Sequence, residues 1–176
     1  MILLIYVMEF RVFVESTLVD LYKSAATAFP FTTKRQHATH EIEITNLKIL
    51  PFVGMKTLFL KTTATNEDRQ YAPIIILKGV DYQSPEYSLT ASDGLVYTLK
   101  RPSLHENDVL VRCNCADFKF RFSYYNHLDK SLQGRKPVRY ESKGIGAPAN
   151  PLELPGMCKH LMAAVQYLYL SEFLRY

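Results

Sequence analysis

The sequence predicts an α+β fold, in which an antiparallel β-sheet carries an N-terminal helix and a C-terminal helix. Three observations indicate it: short segments alternate apolar and polar residues, turn residues separate them, and helical periodicity appears only towards the two ends. Of the 176 residues, 48% are hydrophobic and 22% charged, which is typical of a globular chain. We expect a single domain over 1–176, with a sheet-rich part containing one helix over 1–112 and a loop and helix over 113–176.

The N-terminal part predicts a strand and then a helix. The opening run of seven apolar residues is too short to span a bilayer and lacks the features of a signal peptide. From Met8 to Val14 apolar and polar residues alternate, as in a half-buried strand. Thr17 and Asp20 then form a capping-box pattern, and Pro30 ends the helix. Five residues share its apolar stripe: Leu18, Leu21, Tyr22, Ala25 and Phe29.

The central part predicts the strands of the sheet. HEIEITNLKIL, with a bulge or turn at Asn46, and MKTLFLKTTA, YAPIIILKGVDY and DVLVRCNC have the length and pattern of strands. YSLTA and LVYTLK flank Ser92, Asp93 and Gly94, which predicts a hairpin because glycine takes the positive φ that such turns require. DFKFRFSYY predicts a further half-buried strand with four aromatic residues on one face: Phe118, Phe120, Phe122 and Tyr124.

The C-terminal part predicts a long loop and a helix. Residues 126–157 contain most of the late glycines and prolines, which favours an extended loop that is ordered only if something holds it. The segment CKHLMAAVQYLYLSEFLRY then predicts a helix with Leu161, Ala164, Val165 and Leu168 on one stripe.

All three cysteines of the chain lie in two short motifs, Cys113-x-Cys115 and Cys158-x-His160. Three sulfur atoms and one nitrogen match the tetrahedral preference of structural zinc. Alternate residues of a strand point to the same side, so Cys113 and Cys115 can share one ion. Positions two apart in a helix diverge by about 200°, so we expect Cys158 and His160 at a helix entry, where Gly156 would place them. The sequence therefore predicts a Zn2+ site made of these four residues.

A zinc ion bound in this way would close residues 116–157 into a pinned loop and give that segment a reason to stay folded. Four protein ligands leave no position for water, so we expect no metal-assisted hydrolysis. The sequence contains no P-loop and no Gly-x-Ser-x-Gly motif, so we also expect no enzyme activity and no catalytic residue. The alternative interpretation is a set of ordinary buried thiols and a core histidine. An odd number of cysteines argues against a disulfide framework and favours reduced thiols, as in the cytosol.

Basic residues interleaved with aromatic ones indicate a second candidate surface. Such a pattern can bind nucleic acid, and an acidic neighbouring protein would suit it equally well. The net charge of +4 permits either partner and demands neither. The basic residues are Arg112, Lys119, Arg121, Lys130, Arg135, Lys136, Arg139 and Lys143. Elsewhere, His37 and His40 lack an evident third ligand and are interpreted as a solvated or interface segment, and GIGAP is interpreted as a turn.

Two resemblances extend this interpretation. The arrangement Cys-x-Cys…Cys-x-His resembles the SWIM-type zinc motif, with a much longer insertion, and implies DNA or protein binding. Over most of its length the chain also resembles a family of structural or uncharacterised proteins of tailed bacteriophages, notably marine myophages. The similar segments are FRVFVES, TTKRQHATHEIEI, LPFVGMKTLFL, RCNCADFKFRFSYYNHLDKSLQGRKP and PANPLELPGMCKHLM. The zinc-ligand positions carry over to Cys113, Cys115, Cys158 and His160.

The phage resemblance implies a zinc-stabilised structural component of the virion, in the neck, tail or baseplate, made in the host bacterial cytoplasm and present in multiple copies. The expected partners are other phage structural proteins, bound through sheet edges and the ordered loop, and no membrane partner is expected. The 12 tyrosines suit partly polar protein interfaces. The alternative is a SWIM-like zinc module that binds nucleic acid.

Overall fold

The computed structural model describes residues 15–29, 41–67, 69–141 and 148–176. Within these residues, three α-helices and seven β-strands, with antiparallel pairing throughout the sheets, confirm the predicted α+β class. The strand predicted before residue 15, the segment with His37 and His40, and the glycines of GIGAP lie outside the described residues.

Helix α1 spans Leu18–Ala28 and begins at the predicted capping box. The Thr17 hydroxyl accepts a hydrogen bond from the Asp20 N–H at 3.3 Å, and the Asp20 carboxylate accepts one from the Thr17 N–H at 3.0 Å. Tyr22 was expected on the buried stripe but is 48% exposed. The stripe runs instead along Leu18, Leu21, Ala25 and Ala28, which leaves Tyr22 at its edge.

The described strands are β1 (Glu43–Phe52), β2 (Thr57–Asn66), β3 (Arg69–Tyr71), β4 (Ile74–Leu77), β5 (Tyr87–Thr90), β6 (Val96–Leu99) and β7 (Val109–Arg112). Five of them form the main sheet: β1, β2, β4 and β7 are neighbours in that order, and β3 pairs with one end of β2. Strands β5 and β6 form the separate hairpin that the sequence predicts, and Gly94 in its turn has φ 82°. A 3-10 turn, Val53–Met55, joins β1 to β2.

The irregularity predicted at Asn46 is present in β1. Asn46 has a φ of 52°, and the pairing register of β1 with β2 shifts between Thr45 and Lys48. An asparagine tolerates this left-handed conformation better than most residues do. The strand therefore bulges at the position that the sequence marks.

Some main-chain groups of the outer strands β7 and β1 already form hydrogen bonds within the chain. On β7, the Val111 N–H donates to the Ser131 carbonyl at 2.8 Å, and the Val111 carbonyl accepts from the Gln133 N–H at 3.1 Å. On β1, the Ile49 N–H donates to the Ser92 hydroxyl at 2.8 Å, and the Ile49 carbonyl accepts from the Ser92 N–H at 2.9 Å. At these positions the main-chain groups that a partner strand would need are already used.

Residues 116–128 are helical, so the prediction of a strand over DFKFRFSYY is wrong. A π-helical stretch, Phe118–Phe122, leads into helix α2, Ser123–Leu128. Phe118 and Phe122, four residues apart, are 1% and 0% exposed, whereas Phe120 between them is 40% exposed. A half-buried strand would bury aromatic residues at every second position. Here Phe118 and Phe122 are buried while Phe120 is exposed, and this spacing of four residues fits a helix.

The π-helical stretch has a local cause at Ser123. Its N–H donates to the Phe118 carbonyl, five residues back, instead of to the Lys119 carbonyl. Its hydroxyl donates to the Lys119 carbonyl at 2.7 Å and so supplies the hydrogen bond that this carbonyl would otherwise lack.

Helix α3, Lys159–Leu170, confirms the predicted C-terminal helix. Leu161, Ala164 and Leu168 are buried in the core, and Val165 packs against it. The same apolar cluster contains the inward side chains of β2, β4 and β7, as well as residues of α1 and of the 116–128 helical segment. The core therefore joins one face of the sheet to all three helical regions.

Candidate metal centre

The four predicted metal ligands come together where β7 ends and α3 begins. The ligand atoms of this Cys3His cluster (Cys113, Cys115, Cys158 and His160) all lie within 4.8 Å of one another. The Cys113 Sγ lies 4.0 Å from the His160 Nδ1. Around a tetrahedral zinc ion with Zn–S bonds of about 2.3 Å, neighbouring ligand atoms are about 3.5–3.8 Å apart. A small inward movement of each side chain would therefore suffice to surround one ion.

All members of the Cys3His cluster are buried. Their side chains are 4%, 3%, 0% and 2% exposed in chain order, and the three thiols are free of disulfides. The His160 Nε2 is buried without a hydrogen-bond partner. Buried polar groups are normally paired, so a histidine whose polar neighbours are thiols is unusual for an ordinary core. A soft donor set of this kind suits a bound cation.

Cys113 and Cys115 lie just beyond the end of β7, at the turn into the helical segment 116–128, rather than on the strand itself. The Cys115 Sγ accepts a hydrogen bond from the Phe118 N–H at 3.3 Å, and its carbonyl accepts one from the Lys119 N–H at 3.0 Å. Cys115 therefore caps this helical segment through its sulfur atom, as a serine hydroxyl would do elsewhere.

Cys158 occupies the N-cap position of helix α3, which confirms the predicted placement at a helix entry. Its carbonyl accepts a hydrogen bond from the Met162 N–H at 3.0 Å, whereas its side chain makes no capping hydrogen bond. The sulfur atom is thus available to an ion, and His160 follows in the first helical turn. Two cysteines of the cluster stand at helix N-termini, where the helix dipole favours thiolate.

The three thiols of the cluster differ in pKa. The pKa of Cys115 is lowered because the Cys113 and Cys158 side chains hydrogen-bond to its sulfur atom. The same contact with Cys115 raises the pKa of Cys113 to about 12, and burial raises the pKa of Cys158. Of the three, Cys115 is the thiol that loses its proton most readily.

Asn126 and Gly156 position the chain just ahead of Cys158. The Gly156 N–H donates to the Asn126 Oδ1 at 2.8 Å, and the Asn126 Nδ2 donates to the Gly156 carbonyl at 3.1 Å. A Cβ atom on Gly156 would lie 2.7 Å from Cε1 of Phe122 and 3.0 Å from Cβ of Ala25. Glycine is therefore required here by close packing.

Asn150 holds the returning segment a few residues earlier. Its Nδ2 donates to the Arg121 carbonyl at 3.0 Å and to the Leu154 carbonyl at 2.7 Å, and its side chain is almost fully buried. The predicted extended loop over 126–157 is thus only partly correct. The first residues of this segment are helical, and residues 131–133 form main-chain hydrogen bonds with β7. The buried Asn126 and Asn150 attach the end of the segment to the helical segment 116–128.

An aromatic residue from β3 covers the histidine of the cluster. The Tyr71 ring stacks on the His160 ring with centroids 4.0 Å apart and an interplanar angle of 27°. Next to it, the Ala72 N–H donates to the Oδ1 of Asn114, the residue between the first two cysteines, at 2.8 Å. The sequence does not predict Tyr71 at this site, because the local pattern around Tyr71 gives no sign of a contact with a residue so distant in the chain.

Three arginines of the second candidate surface are engaged within the chain. The Arg112 Nε donates to the Gln133 carbonyl at 2.5 Å, Arg121 pairs with Asp117 at 2.8 Å, and Arg139 pairs with Glu153. These three arginines serve the fold around the segment 112–141. Lys143 lies outside the described residues.

No protein-family model, curated protein sequence or solved structure matches this chain. Among the described helices, none has the length and apolar character needed to cross a membrane. The resemblances to the SWIM motif and to the phage family therefore stay predictions. The structure adds that the four residues of the Cys3His cluster lie close together.

Proposed function

We propose that the Cys3His cluster binds one structural Zn2+ ion and that the chain acts by protein–protein assembly, as a zinc-stabilised component of a tailed-phage virion. The observation that carries the metal site is the convergence of four buried ligand atoms within 4.8 Å. Three thiolates and an imidazole are a common structural zinc set, and they complete a tetrahedral shell. The ion would have no open position for a substrate, so its role is structural.

The ion would join three elements of the fold. Its ligands stand at the end of β7, at the start of the helical segment 116–128 and at the start of α3. Structural zinc is worth on the order of 10 kcal/mol where it organises a small domain. Here the core and the two buried asparagines also hold these elements, so we expect a smaller net stabilisation.

The assembly role is supported by the sequence resemblance and by exposed apolar side chains. Phe52, Val53 and Met55 at the β1–β2 turn are 42%, 49% and 67% exposed. Leu170 at the end of α3 is 71% exposed. Exposed apolar residues of this size are suited to contact neighbouring proteins. The proposed partners are other phage structural proteins, in multiple copies, in the neck, tail or baseplate.

Nucleic-acid binding is the second candidate function. Phe120 and Tyr140 are both exposed, their ring centroids lie 4.7 Å apart, and Lys119 lies 5.3 Å from the Phe120 ring. Exposed aromatic rings beside cations can stack on bases. The internal pairing of Arg121 and Arg139 counts against it, because those charges are already neutralised.

Elemental analysis of the purified full chain tests the metal site. We expect one zinc ion per chain in the wild type and loss of that ion in Cys115→Ser and His160→Ala. His105→Ala is the matched control, because this histidine is exposed and lies outside the cluster. A wild-type chain without a stoichiometric transition metal would refute the site.

Two measurements separate the candidate functions. Mass spectrometry of purified virions should detect the chain if it is a structural component. Titration with single-stranded DNA at two salt concentrations should show little binding, whereas a nucleic-acid-binding module would show affinity that falls steeply with salt. Salt-sensitive DNA binding together with absence from virions would favour the second candidate.

A further inference from the structure

The Cys3His cluster has no direct path to solvent in this conformation. None of its side chains is more than 4% exposed. An ion bound there could neither arrive nor leave unless one wall of the site moves.

Most of the elements around the site carry its ligand residues and belong to the core. Phe118, Phe122, Val111 and Leu161 are each at most 1% exposed and belong to the main apolar cluster. Opening the site along any of these elements would expose that cluster to water. Such an opening approaches the cost of global unfolding.

Strand β3 is the exception. It has three residues, its pairing among the described strands is with one end of β2, and its Arg69 and Gln70 are exposed. Tyr71 at its end is half-buried and places its ring against His160. Short peripheral elements with few buried contacts open at low free-energy cost.

We propose that Tyr71 is a lid that controls how fast a metal ion enters and leaves the Cys3His cluster. This inference rests on the proposed metal site. The ring covers one face of the imidazole, and the hydrogen bond between Ala72 and Asn114 ties the lid to the turn that carries the first two cysteines. Displacement of β3 would uncover His160 and withdraw the half-buried Tyr71 from the edge of the core, while the buried core residues stay packed.

Zinc transfer from the loaded full chain to an excess of a chromogenic chelator measures the exchange rate. We expect Tyr71→Ala to raise the first-order rate by about tenfold or more, because the lid no longer needs to open. Tyr71→Phe keeps the ring and should stay within about twofold of the wild type. Tyr22→Ala, which removes an exposed tyrosine on α1, is the matched control and should leave the rate unchanged.

A cobalt spectrum shows whether a variant still has the same ligands. Tyr71→Ala loaded with Co2+ should keep the absorption bands of a tetrahedral thiolate site, so that a faster rate reflects access rather than a lost ligand. Asn114→Ala should also accelerate exchange, and it carries the test if Tyr71→Ala does not fold. Unchanged rates in the folded variants would overturn the role of Tyr71 alone, whereas a wild-type chain that binds no metal would overturn the site and the lid together.

Discussion

Replacement of Asn126 by alanine should strongly destabilise the fold next to the Cys3His cluster. The Asn126 side chain is 0% exposed and bonds both main-chain groups of Gly156, at 2.8 and 3.1 Å. Its removal leaves a buried N–H and a buried carbonyl without partners, each at a cost of about 1–3 kcal/mol. We therefore expect the free energy of unfolding to fall by about 2–6 kcal/mol, a large fraction of the total for a domain of this size.

Urea denaturation of the zinc-loaded chain, followed by circular dichroism, measures this loss. The matched control is Asn114→Ala, because Asn114 is exposed and accepts one hydrogen bond, from Ala72. Its removal should cost about 0.5–1.5 kcal/mol. A loss below about 1 kcal/mol for Asn126→Ala, with unchanged zinc content, would refute the view that this amide positions the entry to Cys158.

Asn126→Asp adds an independent signature. The carboxylate still accepts from the Gly156 N–H but places an oxygen against the Gly156 carbonyl. Burial raises the pKa of such a carboxyl group in the folded state, so its neutral form is favoured there. The stability of this variant relative to the wild type should therefore fall as pH rises through that pKa and recover in acid.

Three further predictions concern the loop, the glycine and pH. Cys115→Ser should lead to protease cleavage confined to residues 116–157, and equal loss of protection in the sheet would contradict this division. Gly156→Ala should cost about 1–3 kcal/mol in urea denaturation through the contact with Phe122, whereas Gly54→Ala, with nothing within 4 Å of the new Cβ, should not destabilise the chain. Burial raises the pKa of Tyr82 to about 12 from its ordinary 10.0. Because the folded-state pKa lies above the unfolded one, its contribution to stability should be complete below pH 10 and decline between pH 10 and 12, a decline that Tyr82→Phe should remove.

The strands were predictable because their alternation matches a sheet with one buried face. In β2, Leu58, Leu60 and Ala64 are buried, whereas Lys61 is exposed. The capping box at Thr17 and the bulge at Asn46 were also correct, since both depend on local side-chain chemistry. Strand β3 was not predicted as a separate element, because three residues carry too little periodicity to identify it.

The helical segment 116–128 was missed because aromatic residues at 118, 120 and 122 satisfy the periods of a strand and of a helix at once. The decisive signal lies further along, where Tyr125 and Asn126 continue the buried helical stripe that begins at Phe118 and Phe122. A polar residue such as Asn126 is unfavourable on a buried stripe unless it is hydrogen-bonded, and its partner is Gly156. That pairing is a tertiary contact between residues 30 positions apart, and local pattern does not reveal it.

The Cys3His cluster was predictable as a set, since residue type and spacing alone select Cys113, Cys115, Cys158 and His160. Their surroundings were not. Tyr71 reaches His160 only because β3 folds back along β2. The sequence thus indicates which atoms could bind the ion, and the tertiary structure decides how well that ion is enclosed.

The hydrogen bonds along the outer strands limit the ways in which copies of this chain can associate. A strand from another molecule that approached Val111 or Ile49 would meet carbonyl and amide groups that Ser131, Gln133 and Ser92 already satisfy. Continuous strand-by-strand growth, the route to fibrillar aggregates, is therefore obstructed at these positions. Crowding many copies together should leave them as separate folded units whose mutual contacts are made by side chains.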